Sequence, residues 1–223
     1  DYILDQFESM GLATNEQEFI VKDFDHTFRN IEAWTGDGTG PQLLIVSHYD
    51  TVSMAPGAND NGTAITVMLE TVQVLAEAGF EGDVRFISFN LEELNPGIAA
   101  KDRQFALQHN IIDDLGRYTT WHTTKMMQKV WKIYAQVYRG GSSRADAIRA
   151  AIEKLQDDLT ENETTYLKSI TKLNEGIMPT DWPGKTAVMG SSRWVEYANK
   201  ENIKVRGVLC LETMGYASKE YRQ

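Results

Sequence analysis

The sequence predicts an α/β fold: a three-layer α/β/α arrangement with a mixed, mostly parallel sheet and a helical insertion. Residues 43–46 read LLIV, residues 65–75 are apolar on most sides, and residues 84–89 alternate between apolar and polar. A strand, a helix and a second strand in this order favour a crossover between two parallel strands. Residues 127–173 show a different pattern, because their apolar positions recur every three or four residues, as in amphipathic helices.

The change of pattern divides the chain into two parts. We assign residues 1–94 and 186–223 to an α/β core and residues 95–185 to a helical insertion. Within the insertion, the segments 143–146 (SRAD) and 160–163 (TENE) both look like capping boxes, in which a hydroxyl and an acid three residues later begin a helix. The sequence therefore predicts three helices in the insertion.

Composition excludes several classes of protein. The chain has 223 residues and a net charge of −10, which argues against a nucleic-acid-binding protein and against binding to an anionic membrane surface. No apolar run approaches the roughly 20 residues of a spanning helix. Cys210 is the only cysteine, so no internal disulfide or thiolate metal site is expected. It lies in the apolar run 205–211, which predicts a buried strand.

A histidine and an acid follow the first predicted core strand. His48 and Asp50 are two residues apart, so on an extended chain they project to the same side. Asp60 lies between a turn-rich segment and a helical pattern. Taken alone these signals are weak, because His48 could simply bond to Asp50 at a strand end and Asp60 could cap the next helix.

Further acids follow the other predicted core strands. Glu92 and Glu93 follow residues 84–89, and Glu212 follows the apolar run 205–211. The carboxyl ends of parallel strands meet at one edge of a sheet, where α/β folds place their ligand sites. Adjacent carboxylates repel one another when partly buried, so they require a cation or a shared proton. An imidazole with several carboxylates is a donor set that suits zinc.

Five segments in a fixed order resemble the co-catalytic zinc aminopeptidase family, whose relatives include glutamate carboxypeptidase and glutaminyl cyclase. The segments are HYD (48–50), PGANDNGTA (56–64), FISFNLEE (86–93), MGS before a helix (189–191) and LETMGY (211–216). The resemblance is close over residues 42–94 and 188–216 and looser over residues 1–41. The insertion has no counterpart in the family pattern.

The resemblance implies two zinc ions, held by four ligands and served by a general base and a supporting carboxylate. It assigns Asp60 as the ligand that bridges the ions, His48 and Glu212 as ligands of one ion, Glu93 as a ligand of the other, Glu92 as the general base, and Asp50 as the carboxylate that fixes the tautomer of His48. It also implies a cis peptide bond between Asp60 and Asn61.

The function implied by the resemblance is that of a zinc-dependent aminopeptidase, which removes N-terminal residues from peptide substrates, in an extracytoplasmic location. Family members take their last ligand from a histidine further along the chain. This sequence reaches Gln223 without one, and His109 and His122 lie in the insertion. We therefore expect a C-terminally truncated chain that holds at most one zinc ion tightly. Two alternatives remain open: a single-zinc enzyme of the glutaminyl cyclase type, and a non-catalytic scaffold.

Overall fold

The computed structural model describes residues 2–21, 24–52, 56–93 and 95–215. The chain forms two compact units, Asp1–Glu93 with Ala187–Gln223, and Leu94–Thr186. The strands are β1 (Ala13–Val21), β2 (Phe24–Trp34), β3 (Gln42–His48), β4 (Val84–Phe89) and β5 (Val205–Cys210). The α-helices are α1 (Tyr2–Ser9), α2 (Thr63–Glu77), α3 (Pro96–Gln108), α4 (Trp121–Arg139), α5 (Arg144–Leu155), α6 (Glu161–Leu173) and α7 (Met189–Lys200). The α/β class is confirmed.

The five strands form one mixed sheet in the order β1-β2-β4-β3-β5. The β1–β2 and β2–β4 pairs are antiparallel, whereas β3 pairs in parallel with both β4 and β5. The expected crossover from β3 through α2 to β4 is present, with Leu43 opposite Val84 and His48 opposite Phe89. Because the register is parallel, the residues that follow β3 and β4 leave the sheet at the same edge.

Alternating side chains of β3 explain why helices cover both faces of the sheet. Ile45 belongs to an apolar cluster with Phe7 of α1 and Met68 of α2. Leu44 belongs to a different cluster, which includes Trp194 of α7. A strand that is apolar on both faces is therefore buried between two helical layers, as its continuous apolar run predicts.

The expectation that β5 is a buried strand is wrong. Val208 is 56% exposed and Leu209 is 53% exposed, and Cys210 is exposed as well. Within the described part of the chain, β5 pairs with β3 alone and forms an edge of the sheet. An apolar sequence is typical of a buried strand, but burial requires neighbours on both sides and over both faces. Tyr216, the last residue of the LETMGY segment, lies outside the described residues.

The unit Leu94–Thr186 is helical. Of the two expected capping boxes, the one at Thr160 is complete, whereas at Ser143 the structure has the N-cap bond of the hydroxyl but the Asp146 carboxylate accepts from that hydroxyl and not from the Ser143 N–H. The Thr160 hydroxyl accepts a hydrogen bond from the Glu163 N–H at 3.2 Å, and the Glu163 carboxylate accepts one from the Thr160 N–H at 2.9 Å. The Ser143 hydroxyl accepts from the Asp146 N–H. Helix α3 was not among the predicted helices. Its apolar period is weak, but it begins with a recognisable signal, Asn95 as N-cap followed by a proline. No helix among the described residues is long and apolar enough to span a membrane.

Candidate metal centre

His48 is the centre of the acidic cluster at the carboxyl edge of the sheet. It is the last residue of β3 and its side chain is only 3% exposed. Its Nε2 atom lies 3.2 Å from Asp60 Oδ1, 3.5 Å from Glu212 Oε2 and 3.9 Å from Glu92 Oε2. Three carboxylates from three separate segments therefore surround one nitrogen atom of a buried imidazole.

Two donor sets of three side chains each are present among the described residues, and His48 is common to both. The sets are His48 with Asp60 and Glu212, and His48 with Glu92 and Glu93. Within each set the donor atoms all lie within 4.8 Å of one another. The structure thus brings together all the side chains that the sequence analysis selected as ligands or general base.

The opposite side of the His48 ring faces Asp50. His48 Nδ1 lies 3.0 Å from the Asp50 backbone oxygen and 3.5 Å from its carboxylate oxygen Oδ1. If Nδ1 carries the proton and donates it to Asp50, the Nε2 lone pair is free to face the three other acids. This is the tautomer that a metal ligand requires.

Asp50 also holds the acids that follow β4. Its Oδ1 accepts a hydrogen bond from the Glu92 N–H at 3.1 Å, and its Oδ2 accepts one from the Glu93 N–H at 3.2 Å. One carboxylate therefore contacts both the histidine and the backbone of the Glu-Glu pair. The resemblance implied only the first of these two contacts.

Asp60 lies in the turn Ala58–Gly62 that precedes α2, and the Asp60–Asn61 peptide bond is cis, as expected. The alternative interpretation, in which Asp60 caps the helix, is wrong. The N-cap of α2 is Gly62, and no side chain makes a capping hydrogen bond there. The Asp60 side chain instead contacts His48, since the turn directs it toward the end of β3.

Asn61 is a site residue that the sequence analysis missed. It is 2% exposed, and its side-chain amide donates to Ser47 Oγ, to the Leu211 backbone oxygen and to Glu212 Oε2 at 3.2 to 3.3 Å. Its oxygen accepts from the Thr213 N–H. Asn61 therefore joins β3 to the segment that carries Glu212. Its only sequence signal was a small amide placed directly after a candidate ligand.

Burial and the neighbouring charges shift the pKa values of the cluster. Burial by itself lowers the pKa of His48, but the hydrogen bond to Asp50 and the charges of Asp50, Glu92 and Glu212 raise it to about 9. Burial raises the pKa of Glu93 to about 7, and the charges of Asp60 and Glu92 act in the same direction. The pKa of Glu92 is raised by burial too. A cation bound here would replace these protons and would stabilise the charged form of the carboxylates.

Residues 30–100 match the model of peptidase family M28. The chain is 31% identical over 125 residues to aminopeptidase YwaD of Bacillus subtilis (strain 168), covering 52% of this chain and 26% of that protein. It is 30% identical over 96 residues to leupeptin-inactivating enzyme 1 of Streptomyces exfoliatus, covering 42% of this chain and 22% of that protein. The chain thus spans about a quarter of the length of these curated relatives.

Among solved structures, the chain is similar to the glutaminyl cyclase of Porphyromonas gingivalis, with 16% identity, a TM-score of 0.39, and coverage of 78% of this chain and 86% of that one. The fold and the donor sets define the core unit as an α/β domain with two sets of side chains that could hold a metal ion. Within this unit, residues 30–100 are similar to peptidase family M28. The resemblance to zinc aminopeptidases is therefore confirmed.

Proposed function

We propose that the protein that carries this chain is a zinc-dependent exopeptidase that removes N-terminal residues from peptides. The observation that carries this proposal is the arrangement of Asp60, Glu212 and Glu92 around Nε2 of His48. The match of residues 30–100 to peptidase family M28 supports it. An extracytoplasmic location belongs to the proposal and rests on the resemblance alone.

The donor set is chemically suited to zinc. Zinc in proteins binds imidazole nitrogen and carboxylate oxygen, and both kinds of donor converge here. Since Nε2 of His48 is one atom, it can serve one ion, and we assign that ion to His48, Asp60 and Glu212. A second, weaker ion would have only carboxylates among the described residues, Glu93 with the shared Asp60. Zinc, when bound, polarises a peptide carbonyl and makes water more acidic.

Glu92 is the proposed general base. Its Oε2 is 3.9 Å from His48 Nε2, the longest of the three acid distances. Glu92 therefore lies beside Nε2 but is not one of the two acids nearest to it. Its carboxylate can accept a proton from the attacking water and pass it to the leaving amine. The raised pKa of Glu92 favours the first step, because a more basic carboxylate accepts a proton more readily. Asp50 holds the Glu92 backbone in place throughout.

The proposal is tested on the natural protein, expressed from its complete gene. Zinc is counted by mass spectrometry after dialysis, and hydrolysis of an aminoacyl anilide is followed with and without a chelator. We expect tightly held zinc, and activity that the chelator removes and added zinc restores. A protein that retains no zinc, or whose activity is insensitive to the chelator, contradicts the proposal.

A second substrate pair tests the exopeptidase assignment. A peptide with a free N-terminus should be shortened by one residue at a time, and the same peptide with an acetylated N-terminus should not be cleaved. A peptide with N-terminal glutamine distinguishes the cyclase alternative. Release of ammonia with an uncleaved, cyclised product would replace the proposal with that alternative, and zinc without any turnover would favour the scaffold.

A further inference from the structure

Asn30 is a fully buried amide in β2 that the proposed chemistry does not use. Its Nδ2 donates to Gln17 Oε1 and to the Gly190 backbone oxygen, both at 2.8 Å, and its Oδ1 accepts from the Asn90 N–H at 3.1 Å. These partners belong to β1, to the first turn of α7 and to the turn after β4. One side chain therefore joins three elements at the edge of the sheet that carries the acids.

Backbone hydrogen bonds join the turn after β4 to the start of α7. The Gly190 N–H donates to the Asn90 oxygen, and the next two amides along the chain toward the N-terminus, Met189 and Val188, donate to Leu91 and Glu92. A β-carbon at Gly190 would overlap both the Asn90 backbone and Asn30 Oδ1, so the two segments are as close as backbones allow. The backbone of Glu92 is thereby bonded to the start of α7.

The same turn holds a strained residue. Leu91 has φ of +55°, a left-handed conformation that a residue with a branched side chain rarely adopts. Such a conformation persists only where the surroundings enforce it. Leu91 packs in an apolar cluster with Phe28 and Met189, and its N–H donates to the Asn90 side chain. The conformation that sets the direction of Glu92 and Glu93 is therefore imposed by its neighbours.

We propose that Asn30 is a positioning residue, which fixes the turn of residues 90–93 and so sets the place of Glu92 and Glu93 relative to His48. This inference rests on the proposed function for its catalytic consequence. The structural part of the inference, that Asn30 holds the turn of residues 90–93, rests only on the hydrogen bonds. Asn30 acts through the backbone and touches none of the acids.

The test is Asn30→Ala in the complete natural protein, with Asn30→Ser as a milder second variant if the first does not fold. We expect kcat to fall about 10-fold or more with KM nearly unchanged, since a displacement near 1 Å can cost about 100-fold in rate. The zinc held by His48, Asp60 and Glu212 should remain, so that activity per tightly bound zinc falls. A purely structural role would lower zinc content and activity together and leave their ratio unchanged.

Asn15→Ala is the matched control. Asn15 is an amide of β1 that donates to Glu32 Oε1 at 2.8 Å, and Glu32 in turn accepts from Trp194 Nε1 of α7 and pairs with Arg85 of β4. The variant therefore disturbs the same strand pair and the same helix without removing a hydrogen bond to Asn90 or Gly190. The Asn15→Ala variant should have a lower free energy of unfolding than the wild type and the same kcat per zinc. If Asn30→Ala and Asn15→Ala both keep the wild-type kcat per zinc, the inference is wrong.

Hydrogen exchange separates this inference from the proposed function. In Asn30→Ala the amides of Glu92 and Glu93, which donate to Asp50, should exchange at least about 10-fold faster than in the wild type, because a loosened turn opens more often. In Asn15→Ala they should not. A wild type without zinc-dependent activity overturns the function only, and the exchange rates still decide the role of Asn30. Unchanged exchange in Asn30→Ala overturns the inference whether or not the protein is active.

Discussion

Each of the two compact units pairs a histidine with a buried or partly buried acid, but the surroundings differ. In the core unit, His48 Nε2 faces Asp60, Glu92 and Glu212. In the helical unit, His122 Nε2 lies 3.4 Å from Glu163 Oε2, and Glu163 is 1% exposed. That carboxylate is already engaged by the Thr160 N–H in the capping box of α6.

A histidine beside a buried acid is therefore not by itself evidence of a metal site. In Glu163 one carboxylate oxygen, Oε2, accepts the Thr160 N–H at the start of α6, whereas the other, Oε1, is buried without a hydrogen-bond partner among the described residues. Several carboxylates that face one imidazole repel one another, and either a bound cation or protonation of some of the acids relieves this repulsion. The number of acids that face one imidazole is what makes the cluster at His48 a candidate metal site.

The largest expected effect comes from Glu92→Gln. We expect kcat to fall by about 10²- to 10⁴-fold, because the amide keeps the shape of the side chain but cannot accept a proton. The tightly bound zinc should remain, since Glu92 is not among its assigned ligands. Steady-state kinetics on an aminoacyl anilide, with zinc counted in the same preparation, check this result.

Glu163→Gln is the matched control for that variant. It makes the same change of acid to amide beside a histidine, and glutamine can still take part in a capping box. Activity per zinc should stay at the wild-type value. A comparable loss of activity in both variants, or near-normal activity in Glu92→Gln, would remove Glu92 from the mechanism.

The next effect in size is on metal affinity. In Asp50→Asn an NH₂ group replaces one carboxylate oxygen, so either the Glu92 N–H or the Glu93 N–H loses its acceptor. The loss of the negative charge also weakens the interaction with His48. Loss of a partner that orients a ligand typically costs about 10- to 100-fold in metal affinity. Competition with a chromogenic chelator measures the dissociation constant. Asp146→Asn, which changes an exposed acid of α5, serves as the control, and equal constants in the two variants would contradict the role of Asp50.

A smaller effect is expected at the cap of α6. Thr160→Ala removes the hydroxyl that accepts the Glu163 N–H, and loss of such a cap costs about 0.5–2 kcal/mol of the free energy of unfolding. Thr160→Ser should restore most of it. Urea denaturation of the three proteins measures the change. A Thr160→Ala protein as stable as the wild type would mean that the capping box does not contribute.

The smallest effect concerns pH and Asp102 of the helical unit. Burial raises its pKa, although the Tyr166 hydroxyl donates to it at 2.8 Å and the charge of Arg144 lowers it. Because the folded form binds the proton more tightly than the unfolded form, the contribution of Asp102 to stability is highest below the ordinary pKa of about 3.9 and declines as pH rises through the raised value. Asp102→Asn keeps the acceptor for Tyr166 and should lack this decline.

The measurement compares the free energy of unfolding of Asp102→Asn and the wild type from pH 3.5 to pH 7. As pH increases, the free energy of unfolding of Asp102→Asn should increase modestly relative to that of the wild type. A change in the opposite direction would mean that the attraction of Arg144 outweighs the cost of burying the charge.

Local sequence was enough to predict the central crossover, the N-caps of α5 and α6 and the candidate ligands. Hydrophobic periodicity and strand-end position are local properties, so they suffice to assign His48, Glu92 and Glu93 to one edge of the sheet. The segment resemblance added the roles of Asp60 and Glu212. A hydroxyl and an acid three residues apart marked both helix starts, although only the pair at Thr160 and Glu163 forms the complete capping box.

The remaining features depend on contacts between residues that are distant in the sequence. The exposure of β5 depends on which strands and helices lie next to it, and its apolar sequence does not encode those neighbours. Asn30 and Asn61 are ordinary amides in the sequence, and they become important only because folding places their side chains against Gly190, Asn90 and Glu212. Hydrogen bonds between residues distant in the chain have no periodic signal, so the groups that hold the acids in place could be identified only in the folded structure.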